Sequence, residues 1–276
     1  MAKKHALPGF GLSLGVSVTL LTALVLLPLA ALLLKSLHLS AAEWQALLQS
    51  ERLHRALWVS FSTAAAAGVL SVLIGGLLAW VLVRYPFPGR RGVDALIDLP
   101  FALPTAVAGI ALTALYSKDG WVGRWLEPLG LQVAYTTTGI TLALLFIGLP
   151  FVVRTVQPVL GAVEAELEQA AATLGASRTQ TVWRVIFPLV APALLTGFAL
   201  AFARGIGEYG SVIFIAGNMP YQTEIAPLLI VSSLEEYNYA AATAIAVIML
   251  AVSFVLLLAI NVLQRRLLQA QHGQEV

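Results

Sequence analysis

Residues 161–188 read GAVEAELEQAAATLGASRTQTVWRVIFP. Positions 162–174 are strong helix formers. Glu164, Glu166 and Glu168 gather at the start of that run, where negative charge complements the helix dipole. Gly175 is a natural C-terminal stop. Ser177, followed three residues later by Gln180, fits a capping box for a second helix. Pro188 then stands at the start of a long apolar run, in the first-turn position that proline prefers. The stretch therefore predicts a helix, a glycine turn, and a second helix feeding an apolar span. Ala170, Ala171 and Leu174 fall on one face of the first helix, and small side chains there let another surface approach closely. Two readings fit this pattern: a docking element for another protein, or an amphipathic hairpin packed under its own chain.

The sequence on both sides of this stretch is that of a membrane protein. Of 276 residues, 59% are hydrophobic and 11% charged, against about 25% charged in a soluble chain. The charges are clustered, leaving long uncharged runs in which a backbone must satisfy its own hydrogen bonds. Six candidate spans emerge, at 11–34, 57–83, 99–117, 136–157, 189–217 and 240–263. The third contains Pro100 and Pro104, and the fourth carries Pro150, with Pro158 just beyond it. Prolines in membrane helices are tolerated where neighbouring groups satisfy the freed carbonyls, so kinks rather than breaks are expected. The run at 6–34 is too long for a signal-peptide core and its cleavage site is weak, so it reads as a retained first span.

With the N-terminus inside, the inner segments carry Lys3, Lys4, Arg84, Arg90, Arg91, Arg154, Arg178, Arg184, Arg265 and Arg266. The outer segments carry Lys35, Arg52, Arg55, Lys118 and Arg124. The excess of basic residues on one side places both termini in the cytoplasm. The outer segment at 218–239 has no Lys or Arg, only Glu224, Glu235 and Glu236 as charges. Trp58, Trp80, Trp121 and Trp125 lie near expected interfaces, as an aromatic belt would.

Several chemistries are set aside by what the chain lacks. There is no cysteine, hence no disulfide or thiolate site. His5, His38, His54 and His272 form no metal-ligand spacing, so no metal is expected. No basic stripe with interleaved aromatics points to nucleic acid. No G-x-x-x-x-G-K-[ST] is present, so the chain itself binds no ATP through a P-loop. A secondary transporter would be expected to show internal repeats, and none is evident. No paired-carboxylate, His-cluster or Ser/His arrangement inside the spans suggests a membrane enzyme.

Arg204 and Glu208 are four residues apart within the fifth expected span, and so share a helix face. Ionisable residues inside a span are costly and are functional candidates by default. Either Arg204 lines a path for an anion with Glu208 holding it, or the pair fixes packing. Ser211 and Thr105 are small polar candidates for the same path. Gly205, Gly207 and Gly210 permit close packing or a bend.

The 161–188 stretch resembles the EAA loop of ABC importer membrane subunits. That pattern is Glu-Ala-Ala, three residues, Gly, nine residues, Ile, one residue, Leu-Pro. Here Gln169, Ala170 and Ala171 are followed by Gly175, then Val185, Phe187 and Pro188 in the same spacing. Gln169 stands where the family has Glu, and Glu168 is one position earlier. The resemblance extends over LPGFGLSLG (7–15), RYPFPGR (84–90), DALIDLPFALPTAVAG (94–109), LPFVVRTVQPV (149–159) and VIFIAGN (212–218). Along nearly its whole length the chain is similar to T-type permeases of the sulfate/thiosulfate ABC importer family, and parts of these runs are shared with molybdate permeases.

The resemblance implies an all-α membrane protein with the six-span type I ABC importer permease (MetI-like) fold. It implies one permease domain over 1–276, with a coupling loop at 161–188. Glu168, Gln169, Ala170, Ala171, Gly175 and Pro188 would belong to the surface that meets the ATPase. A second homologous permease, two copies of a cytoplasmic ABC ATPase and a periplasmic sulfate-binding protein are the implied partners. ATP and Mg would sit on the ATPase, leaving this chain without a cofactor and without catalysis of its own. The cargo would be sulfate or thiosulfate, with molybdate or tungstate as the alternative.

Overall fold

The computed structural model describes the backbone of residues 10–272 and the side chains of residues 10–266. Lys3, Lys4, His5 and the imidazole of His272 lie outside that description. Every regular element among the described residues is a helix. Eight helices carry the argument: α1 (Phe10–Ser36), α2 (Glu51–Arg84), α3 (Thr105–Tyr116), α4 (Thr137–Ala162), α5 (Ala165–Thr173), α6 (Arg178–Ile206), α7 (Ala226–Glu235) and α8 (Tyr239–His272). Of these, α1, α2, α4, α6 and α8 are long and apolar enough to cross a bilayer. The chain is thus a multi-pass membrane protein.

The third expected crossing is not one continuous helix. A single turn, Leu99–Ala102, ends at Leu103, which is extended (φ −84°, ψ 134°), and α3 begins only at Thr105. Pro104 drives its predecessor out of the helical region. The 12 residues of α3 span about 18 Å, well short of the ~30 Å hydrocarbon layer. Pro150 and Pro158 have a different outcome, since α4 runs through both. Its neighbours explain this: α4 is sandwiched between α2 and α6, whereas Leu99 and Phe101 stand exposed. Packing on two sides holds a helix that proline alone would interrupt.

The fifth expected span, 189–217, also shifts. α6 starts at Arg178 and ends at Ile206, followed by an irregular stretch and a short turn at Val212–Ala216. Pro188 is therefore ten residues inside a continuous helix and does not begin it. A five-residue π segment at Val182–Ile186 precedes it. A second π segment, Thr22–Leu26, precedes Pro28 in the same way. Proline has no N–H for the carbonyl four residues back, and a local widening of the helix accommodates that loss. The segment at 218–239 holds α7, a mostly apolar helix of ten residues packed on α8 and anchored where Ala226 N–H donates to Ser60 Oγ of α2 (2.7 Å).

The core is the three-helix layer of α2, α4 and α6. Val152 of α4 is fully buried between Gly75 of α2 and Gly197 of α6. A Cβ on Gly197 would lie 2.9 Å from the Val152 Cα, so glycine there sets the helix separation. Lipid tails are as apolar as leucine, so close van der Waals contact between small residues is what favours helix association over lipid contact. By contrast, none of the most apolar window of α1 is buried within this chain.

Candidate coupling loop and translocation path

The loop folds as its local signals require. Gly175 takes φ +82° just past α5. Its N–H donates to Ala172 O and that of Ala176 to Ala171 O, both at 3.0 Å. This is a Schellman ending, which satisfies the last carbonyls. Ser177 Oγ accepts from Gln180 N–H (3.3 Å) and Gln180 Oε1 accepts from Ser177 N–H (2.8 Å), completing the capping box at the start of α6.

The helix α5 has two faces. Ala171 is buried and Glu168 turns inward, its carboxylate 2.7 Å from the guanidinium of Arg84 at the end of α2. Glu166, Gln169, Ala170 and Leu174 are exposed, Leu174 at 88%. The face expected from Ala170, Ala171 and Leu174 therefore divides, with Ala171 packed against the chain and the other two presented outward. Gly175 and Pro188 are exposed as well.

The four candidate path residues meet at the other end of α6. Glu208 lies just beyond the helix, past Gly207 at its C-terminus. Its carboxylate is 2.5 Å from Arg204 and accepts hydrogen bonds from the N–H (3.0 Å) and hydroxyl (3.1 Å) of Ser211. Glu208 is 2% and Ser211 0% exposed, while the Arg204 side chain is 37% exposed. The positive member of the pair is thus the one that reaches open space. Thr105, at the start of α3, lies against Gly210, where any side chain would overlap its hydroxyl. One turn on, a Cβ on Gly109 would overlap the Ser211 backbone. Two broken helices therefore interlock here through glycine contacts.

Two ion-pair clusters were missed by the sequence reading. Arg154, counted there as an inner-segment charge, lies within α4. It donates to Asp98 (2.8 and 2.6 Å) and Asp94 (2.7 Å), both in the segment that precedes the helix interruption at Leu103. Gln157 Nε2 also donates to Asp94 (3.0 Å). The Gln157 hydrogen bond first, and the Arg154 guanidinium second, hold the Asp94 carboxyl below its ordinary range. The i, i+4 spacing of Asp94 and Asp98 was the available signal. On the other side of the bundle, Arg52 forms a two-pronged bond to Glu224 (2.8 and 2.7 Å), whose carboxylate is 1% exposed. A separation of 172 residues hides that pair from any local pattern.

Residues 71–270 match the family of binding-protein-dependent transport system inner membrane components. A sulfate transport system permease protein of Synechocystis sp. is 50% identical over 250 residues, covering 91% of this chain and 87% of its own length. Its counterpart in Escherichia coli (strain K12) is 47% identical over 266 residues, 96% of each chain. Among solved structures, a bacterial ABC transporter involved in alginate import aligns with a TM-score of 0.77 at 17% identity, over 94% of this chain and 96% of that one. An inward-facing MetNI methionine transporter aligns with a TM-score of 0.60 at 17% identity, over 78% and 96%. At such identities the two structures bear on the fold alone. The sequence relatives are transporter permeases, and this chain is accordingly not itself an enzyme. With about half its residues shared along nearly its full length, the chain belongs to the sulfate transport permeases, a branch of the binding-protein-dependent inner membrane components with the MetI-like fold of ABC importers.

Proposed function

We propose that this chain is the transmembrane subunit of an ATP-driven importer of sulfate or thiosulfate. It forms the translocation path with a second, homologous permease. A periplasmic binding protein delivers the anion, and two cytoplasmic ATPase subunits, which hold ATP and Mg, drive the cycle through the 161–188 loop. Both termini are cytoplasmic in this reading, on the basic-residue asymmetry. The observation that carries it is the extended identity with sulfate permeases. The molybdate or tungstate alternative is not favoured, because these relatives are sulfate transport proteins.

In this reading the loop residues divide their labour. Glu168 already faces Arg84, so the outward residues Glu166, Gln169, Ala170 and Leu174 are those free to meet the ATPase. Glu166 lies one turn from Gln169 and supplies the negative charge that Gln169 lacks. At the path, Arg204 offers a positive charge to a passing dianion. The buried Glu208 carboxylate orients that guanidinium and offsets its field, so the anion is attracted without being trapped.

The test is reconstitution with the ATPase, the second permease and the binding protein. ATP-dependent uptake of labelled sulfate in excess of molybdate is expected; uptake by this chain alone without ATP would overturn the importer reading. For the path, Arg204→Gln should lower sulfate uptake about tenfold, the effect of losing one charged hydrogen bond, while the complex still assembles and hydrolyses ATP. Unchanged uptake would remove Arg204 from the path.

A further inference from the structure

A cavity of about 560 Å³ opens between the end of α2 and the start of α6, bordered by Arg84, Tyr85, Glu168 and Arg178. Trp80, Val182 and Ile186 line both this cavity and an adjoining apolar groove of about 230 Å³. The groove follows α2 as far as Val72. From Arg84 to Val72 is 12 residues of helix, about 18 Å. That is roughly the depth of one leaflet of a ~30 Å hydrocarbon layer. Gly76 floors the groove, and Leu77 stands 64% exposed at its rim.

The polar end is electrostatically incomplete. Two guanidiniums face one carboxylate. Arg84 Nη1 lies 2.7 Å from Glu168 Oε1, which is buried and accepts no hydrogen bond, and Nε and Nη2 of Arg84, facing elsewhere than that one oxygen, are buried with no hydrogen-bond partner either. Buried donors are nearly always satisfied, and an orphaned pair on a charged group calls for an acceptor. The Trp80 ring lies 5.4 Å from the same guanidinium and joins it to the apolar groove.

We propose that this composite binds one anionic phospholipid, its phosphate between Arg84 and Arg178 and an acyl chain along the groove. A small inorganic anion would use the cavity and ignore the groove. An apolar protein segment would cover the groove and leave the guanidiniums unanswered. A zwitterionic lipid would bring a cation against two arginines. Only an anionic amphiphile answers both halves. The site goes beyond the transport reading and holds whichever anion is carried.

The assembled transporter, purified in detergent, would be supplied with equal phosphatidylglycerol and phosphatidylcholine. Lipid retained after a fixed wash would then be counted by native mass spectrometry. The wild-type complex should retain phosphatidylglycerol about tenfold over phosphatidylcholine, and Arg178→Gln and Leu77→Trp should each erase most of that preference. Leu34→Trp, on the exposed face of α1 outside the groove, should keep it and controls for general damage. Equal retention of both lipids, or a preference that neither variant alters, would overturn the site. Release by excess inorganic sulfate together with indifference to Leu77→Trp would assign the cavity to a free anion instead. A crosslink from position 77 to the second permease would assign the groove to a protein interface.

Discussion

The two ends of α6 are built by opposite means. Its start, at Arg178, is set by a capping box between Ser177 and Gln180 and by a left-handed glycine two residues earlier, all within a few positions of one another and open to solvent. Its end, at Ile206, is set by a buried carboxylate, a guanidinium and a serine, wedged against a second broken helix through Gly109 and Gly210. The first is a local solution, in which short-range hydrogen bonds satisfy the helix terminus wherever the helix is placed. The second exists only because α3 is packed beside it. One helix thus joins a surface that is free to meet another protein to an interior that has no slack.

The most severe way to break this contrast is Glu208→Ala. It leaves Arg204 without its partner and two Ser211 donors unanswered in the interior, for a destabilisation of about 3 kcal/mol or more. The expected result is loss of the assembled complex in fluorescence-detected size exclusion, whereas Glu208→Gln, which retains an acceptor, should be recovered in part. Gly109→Val comes next. Its side chain would overlap the Ser211 backbone, and overpacking of this kind costs about 1–3 kcal/mol. A lowered melting temperature of the complex in detergent checks it, and an unchanged one would mean the interlock has room to yield.

At the opposite end the effects should be smaller. Ser177→Ala removes half of the capping box, a loss of about 1 kcal/mol, and should weaken ATPase capture in a pull-down without preventing membrane assembly. If it instead damages the fold as much as Glu208→Ala, the comparison between the ends of α6 fails. The smallest effect is a pH dependence at Asp94. Its carboxyl sits below its ordinary value of 3.8, so its contribution to stability is present above that value and is lost as pH falls through the lowered one. The stability difference between wild type and Asp94→Asn should therefore persist at neutral pH and vanish in acid, as read by thermal melts across pH. The group is partly exposed, so the difference is modest.

The same contrast explains what could be read in advance. The two-helix loop, its glycine turn and its capping box were legible because each depends on residues three or four apart. The five long helices were legible because bilayer length and composition demand them. The break at Pro104 was expected as a kink, like Pro150 and Pro158; the local signal is the same, and only the packing of α4 between α2 and α6 separates the cases. The helix start at the Ser177 cap was legible, but the local pattern predicts a separate second helix leading to a span at 189; a π segment instead carries one continuous helix through Pro188. α7 escaped because ten residues are too few to register as a span. Arg204 and Glu208 were paired correctly from their spacing, although Glu208 proves to lie beyond the helix end.

By itself, then, the sequence determined membrane residence, five of the six expected spans as long helices and the helix–turn–helix architecture of the 161–188 loop, since all three follow from composition and short-range hydrogen bonding. Tertiary structure decided which prolines interrupt the chain and which face of α5 is free. It also decided that Arg154 clamps Asp94 and Asp98, that Arg52 reaches Glu224, and that Thr105 meets the Glu208–Ser211 turn. These depend on helices distant in sequence coming within contact distance, where buried charges must find partners and glycines must clear backbone, and no local pattern encodes that proximity.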